Sequence, residues 1–163
     1  MLFKKKKNTL PKENDILSYF MYRDSLTGQM NTDYAIKTFE KIKHVDGYGA
    51  VMVHVENAEN MPYYMAVRYI KEAAQIVAAI SEEEVARTKE GYFVIFSKDA
   101  ENLAYKLEKF LSEFSSEEVM YAVAYVPLDE NDDFYTHMRK LKRRIAAAEN
   151  AGHIKLVRDL PII

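Results

Sequence analysis

The side chains with the widest chemical reach sit where apolar runs end. The run Ala50-Val51-Met52-Val53-His54-Val55 finishes around His54 and hands over to Glu56. A second pair of apolar arms, between Val85 and Phe96, is split by Lys89-Glu90-Gly91. Glu56 and Glu90 carry hard carboxylate oxygens, the donors that magnesium takes. Taken singly, each reads as a surface glutamate. The four histidines, His44, His54, His137 and His153, show no metal-ligand spacing, and His54 on its apolar strand reads as a hydrogen-bonded core residue. The absence of cysteine rules out disulfides, thiolate metal sites and a cysteine nucleophile, and it fits a reducing cytoplasm. Twelve tyrosines could stack bases, but a net charge of −2 lacks the basic excess of a nucleic-acid binder.

These groups need a scaffold, and hydrophobic periodicity outlines one. A chain of 163 residues suits a single domain and can bury roughly 70% of its unfolded surface. Ala50 to Val55, almost wholly apolar, reads as a central strand. Val85 to Phe96 reads as a β-hairpin, with β-branched and aromatic arms around a short polar turn containing Gly. Its second arm, Tyr92 to Phe96, should be buried on both faces. Val119 to Val126 and Ile154 to Val157 read as further strands.

Helical spacing places Ile16, Leu17, Phe20 and Met21 on one face of a helix from Pro11 to Arg23. Asn31 or Thr32 can cap a helix to about Lys43, with Ala35, Phe39 and Ile42 buried. Pro62 to Ile80 carries Val67, Ile70, Ala74, Val77 and Ala78 on one side. Lys98 to Phe114 carries Leu103, Leu107, Phe110, Leu111 and Phe114. Asp129 to Ala151 opens acidic and turns basic. Tyr63, Tyr64 and Tyr69 are expected to pack at the sheet edge. The order implies a mixed sheet with helices packed on it. Residues 1–20 form a basic tail and N-terminal helix, and residues 21–163 form the domain. Lys4 to Lys7 reads as a solvated tail; attraction to an anionic membrane would add about 1 kcal/mol per lysine. No apolar run is long enough to span a bilayer.

Two short motifs sharpen this outline. Asp24-Ser25-Leu26-Thr27-Gly28 has the form Asp-x-Leu-Thr-Gly, and Ala148-Glu149-Asn150-Ala151-Gly152 nearly matches Ala-Lys-x-x-Gly. With the element order, they make the chain resemble the GGDEF domain, the diguanylate cyclase family, over about Met21 to Val157. The resemblance implies an α/β (α+β) fold of the nucleotidyl-cyclase palm type, a mixed central sheet flanked by helices. The family joins two GTP molecules into cyclic di-GMP across a dimer, a phosphoryl transfer that rests on positioning and on charge neutralisation by metal.

The hairpin turn is where the family carries its signature, and here that signature reads Lys89-Glu90-Gly91-Tyr92-Phe93. Arg87 matches an Arg that commonly precedes it. The departures fall on the chemistry. The strand Asp that binds magnesium in the family is His54 here, and the acidic residue two positions on is Glu56. The third signature residue, also a metal ligand, is Gly91. The Lys that contacts phosphate is Glu149. The guanine-binding Asn and Asp have no convincing counterpart. The inhibitory Arg-x-x-Asp positions hold Ile80 and Glu83.

The sequence therefore implies a catalytically inactive GGDEF-like signalling domain, with no catalytic residue and no cofactor. It would serve as a regulatory protein-interaction or nucleotide-sensing module, with His54, Glu56, Glu90 and Glu149 lining its cleft. A partner protein or a nucleotide is the expected ligand, and a homodimer is compatible. The alternative is an active cyclase in which Glu56 and Glu90 form a displaced carboxylate pair around magnesium.

Overall fold

The computed structural model describes Leu17 and residues 20–150. The lysine tail, most of the expected helix from Pro11 to Arg23, Gly152 of the second motif and the expected strand from Ile154 to Val157 lie outside the described residues.

Asn31 caps helix α1 (Thr32–Ile42), its side chain accepting from the Tyr34 N–H, as the sequence anticipates for a short polar residue at that position. Strand β1 (Gly49–Val55) follows, buried along its whole length. A short 3₁₀ turn (Ala58–Asn60) leads to α2 (Tyr63–Ile80). The hairpin is β2 (Ala86–Lys89) and β3 (Tyr92–Ser97). Helix α3 (Ala100–Glu113), strand β4 (Tyr121–Pro127) and helix α4 (Phe134–Asn150) complete the described fold.

The strands lie in the order β2-β3-β1-β4. All neighbouring strands run antiparallel. Parallel pairing among the described residues is confined to the bridge between Met30 and Ala86, so the sheet is mixed only at its β2 edge. There the Met30 N–H donates to the Val85 carbonyl at 3.1 Å, and the Arg87 N–H donates to the Met30 carbonyl at 3.0 Å.

Alternation along each strand divides the interior into two cores. Val51, Val53, Val55, Phe93, Ile95, Tyr121 and Val123 face α2 and α3, where Ile70, Val77, Leu103, Leu107 and Leu111 meet them. Ala50, Met52, Val94, Phe96, Ala122 and Ala124 face α1 and α4, where Phe39, Phe134, Met138, Leu141 and Ile145 meet them. A central strand covered on both faces has to be apolar at every position, which is why β1 reads as a continuous run rather than an alternating one. His54 is its one exception.

Several aromatic residues depart from expectation. Tyr63 and Tyr64 are 82% and 74% exposed rather than packed at the sheet. They lie in the first turn of α2, ahead of the buried stripe that begins at Ala66. Tyr69 is buried, and its hydroxyl donates to a Glu118 carboxylate oxygen at 2.5 Å. Phe110 and Phe114 are also exposed: the buried stripe of α3 runs through Leu103, Ala104, Leu107 and Leu111, leaving Phe110 beside it and Phe114 at the C-cap. Ala78 likewise faces solvent, because the α2 stripe ends at Val77.

Candidate functional site

The site forms where β1 ends, the hairpin turns and α4 passes over the sheet. His54 follows Ala50 and Met52 on the face toward α4 and is 4% exposed. Its Nδ1 hydrogen-bonds the carboxylate of Glu149 on α4, and its Nε2 lies 3.1 Å from a carboxylate oxygen of Glu59. Asn57, in the left-handed conformation at φ 61°, turns the chain after β1 and brings Glu59 back to the ring. Opposite His54 in the β1–β3 register stands Tyr92. The two rings stack with centroids 3.9 Å apart and planes within 10°. The Lys142 ammonium sits 4.9 Å from the Tyr92 ring centroid.

The electrostatics follow from this enclosure. Burial alone would push the His54 pKa down, but hydrogen bonds to Glu149 and Glu59, with their charges, outweigh it and hold the imidazole above its usual value. Burial raises Glu59, yet the His54 hydrogen bond and charge leave its carboxyl below the usual range. Glu56 moves the other way: burial and the Glu149 charge push it up against a smaller pull from His54. Burial, then the charges of Glu59, Glu149 and Glu90, push the Tyr92 hydroxyl up to about 12. The two carboxylates thus favour the protonated imidazole over what a free histidine would hold at the same pH.

The turn itself is braced from two sides. Glu90 adopts φ 45°, a left-handed conformation that favours glycine. The Gly91 carbonyl accepts from the Val55 N–H at 2.9 Å. A Cβ on Gly91 would come within 3.0 Å of the Ala58 side chain and 3.2 Å of Val55, so the space beside this glycine is filled by the protein itself. On the other side, Arg87 donates from Nε and Nη2 to the two oxygens of Asp24, each at 2.9 Å, and from Nη1 to the Glu90 carbonyl at 2.7 Å. Asp24 also accepts from the Thr27 N–H and hydroxyl. Its burial is outweighed by these bonds, and its pKa is held below the usual carboxylate value. The Asp24-x-Leu-Thr-Gly28 loop and the hairpin turn are therefore one mechanical unit.

No family model and no curated protein sequence matches the chain. Solved structures do. A diguanylate cyclase/phosphodiesterase from Caldicellulosiruptor saccharolyticus superposes with a TM-score of 0.65 at 14% identity, over 83% of this chain and 91% of the other. The coiled coil and GGDEF domain of DgcB from Caulobacter crescentus, in complex with c-di-GMP, gives 0.67 at 12% identity, over 92% of each chain. The diguanylate cyclase SiaD of Pseudomonas aeruginosa, in complex with its activator SiaC, gives 0.66 at 12% identity, over 93% of this chain and 66% of the other. The fold is that of a GGDEF domain. The α+β palm with its helix-flanked sheet, expected from element order and two short motifs, is the one observed.

Within the GGDEF fold, the four residues expected to line the cleft do not form one group. His54 and Glu149 are in direct contact, and Glu56 lies within electrostatic reach of both. Glu90, exposed at the turn, bears instead on Glu59. No described contact joins Glu56 to Glu90. Lys89 is exposed at the end of β2, with its ammonium 3.9 Å from the Glu90 carboxylate, while Phe93 is fully buried in the α2–α3 core. Glu59 is the member that sequence reasoning missed. The signal for it is Asn57, a residue that tolerates the left-handed turn needed to fold a glutamate back onto the preceding strand. Among the described residues, no group of three or more His, Asp or Glu side chains is arranged to hold a metal ion.

Proposed function

We propose that this chain is a catalytically inactive GGDEF-fold signalling domain that acts by binding a partner protein. One observation carries the reading: positions 54 and 149, where the resemblance expects a metal-binding acid and a phosphate-binding base, hold a base and an acid that bond to each other. The exchange consumes both positions. Magnesium needs several hard oxygen donors in near-octahedral array. Here an imidazole occupies the first ligand position, Gly91 offers no side chain at the second, and Glu59 and Glu149 are engaged by His54. The donor set does not suit the ion, and no step through a metal follows from it. Glu56 and Glu90 bear on different neighbours, which argues against a displaced carboxylate pair in its place.

What remains is a braced scaffold with exposed apolar side chains. Leu17 and Met21 are 59% and 57% exposed, ahead of the braced Asp24 loop. The SiaD–SiaC complex is a precedent for a partner protein on a chain of similar fold. Incubating the protein with GTP and magnesium should yield no cyclic di-GMP above a blank; measurable product would sink the proposal.

A nucleotide-sensing role is the second reading, favoured by the DgcB fold neighbour being in complex with c-di-GMP. A thermal-shift screen with GTP, GDP, ATP and cyclic di-GMP separates the two. A ligand at a hundred times its Kd adds about 2.7 kcal/mol, or roughly 5–10 °C for a domain of this size. A flat screen leaves partner binding; a shift transfers the proposal to the nucleotide.

A further inference from the structure

At the other end of the sheet, where β1 begins and β4 finishes, a cleft of about 590 Å3 opens between residues 43–48, residues 126–131 and helix α4. Arg144 lines it from the buried stripe of α4 and is 9% exposed. The other basic side chains of the cleft are all engaged. Lys43 pairs with Glu40 at 2.9 Å, His44 with Glu130 at 2.8 Å and Lys140 with Asp132 at 2.7 Å. Among the described residues Arg144 has neither a hydrogen bond nor an ion pair; its one contact of note is the Tyr125 ring, 6.0 Å from the guanidinium. Its nitrogens are not among the sealed polar atoms without partners, so they keep some contact with solvent, and the residue lines the cleft.

A guanidinium with five N–H donors is costly to enclose without acceptors. Its planar fork matches two oxygens of an oxyanion. From this geometry we propose that the cleft is a binding site for a small phosphate group, inorganic phosphate or a phosphate monoester, received by Arg144. The neighbouring acids set the limit on charge. Asp46, Asp129 and Glu130 line the same cleft, and their carboxylates repel a polyphosphate while tolerating a single phosphate on the guanidinium. The site stands apart from the His54 cluster and does not depend on whether that cluster is catalytic.

The test is a titration of the full chain with inorganic phosphate at constant ionic strength, followed by backbone amide NMR, with acetate and chloride as parallel arms. Phosphate should give saturable shifts confined to residues 43–48, 126–131 and the Arg144 turn of α4, and acetate and chloride should give none that saturate. Arg144→Met keeps the stem over Tyr125 and should abolish the response while melting as a folded protein. Arg144→Lys keeps the charge without the fork and should weaken binding about tenfold or more. It carries the test if the Met variant does not fold. Non-saturable shifts, an equal response to acetate, or unchanged binding in either variant overturns the proposal.

Discussion

Replacing Glu149 with Gln removes one charge from the His54 cluster and leaves its shape nearly intact. The side chain is 23% exposed and His54 is buried, so the lost interaction is weakly screened. A hydrogen bond between charged groups contributes about 1.5–3 kcal/mol, against about 0.5–1.5 for a neutral one, so the variant should lose roughly 1–2 kcal/mol. In a chain of this size that is a fall in Tm of about 2–8 °C. The loss should also depend on pH. The folded-state pKa of His54 is raised above its unfolded value of about 6.5, so the stabilisation is complete below that value and disappears as pH rises through the folded pKa. A neutral imidazole has a single N–H and can serve only one of its two carboxylates. Thermal melts of both proteins taken from below about pH 6.5 upward should therefore start apart and converge as pH rises. A gap that stays constant with pH, or a Gln variant as stable as the parent at the acid end, would refute the picture of a doubly held imidazolium.

Arg87→Met should cost about 2–3 kcal/mol in urea unfolding, because it strips a half-buried Asp24 of its partner. The pKa of Asp24 is depressed, so that cost should be full at neutral pH and shrink as pH falls through its folded value. Gly91→Ala should lose about 1–3 kcal/mol, since the new methyl group would meet Ala58 at 3.0 Å; an unchanged denaturation midpoint would show that the turn can yield. Glu90→Gly should raise stability by up to about 1 kcal/mol by releasing a left-handed side-chain residue, and a loss would mean that Glu90 holds the cluster through Glu59.

The elements were legible because both cores leave periodic traces. β1 is apolar throughout since helices cover both its faces, and Asn31 sits where a short polar acceptor is needed. The Asp24 motif was also readable, and Arg87 shows why its residues go together: the two segments, 63 positions apart, share a bidentate ion pair. Periodicity failed at helix ends. Phe110 and Phe114 continue the apolar spacing of α3, and Tyr63 and Tyr64 open α2 with bulky aromatics, yet all four lie off the buried stripes. The site was readable only by position. Residues 54 and 149 could be marked as altered, yet their contact spans 95 residues and depends on how α4 crosses the sheet. Glu59 lies in a connection with no period at all, so only the backbone of Asn57 hinted at it.

Met30 has a further consequence. A sheet normally ends in a row of bare amides and carbonyls that any extended chain can grip. On the outer margin of β2 those groups are taken: Met30 bonds to Val85 and Arg87, and the Thr32 hydroxyl donates to the Thr88 carbonyl at 2.7 Å. The residues leading into α1 thus shield this edge of the sheet from self-association. Removing them would strip that shield and leave the hairpin a template for fibrils, however well the two cores still packed.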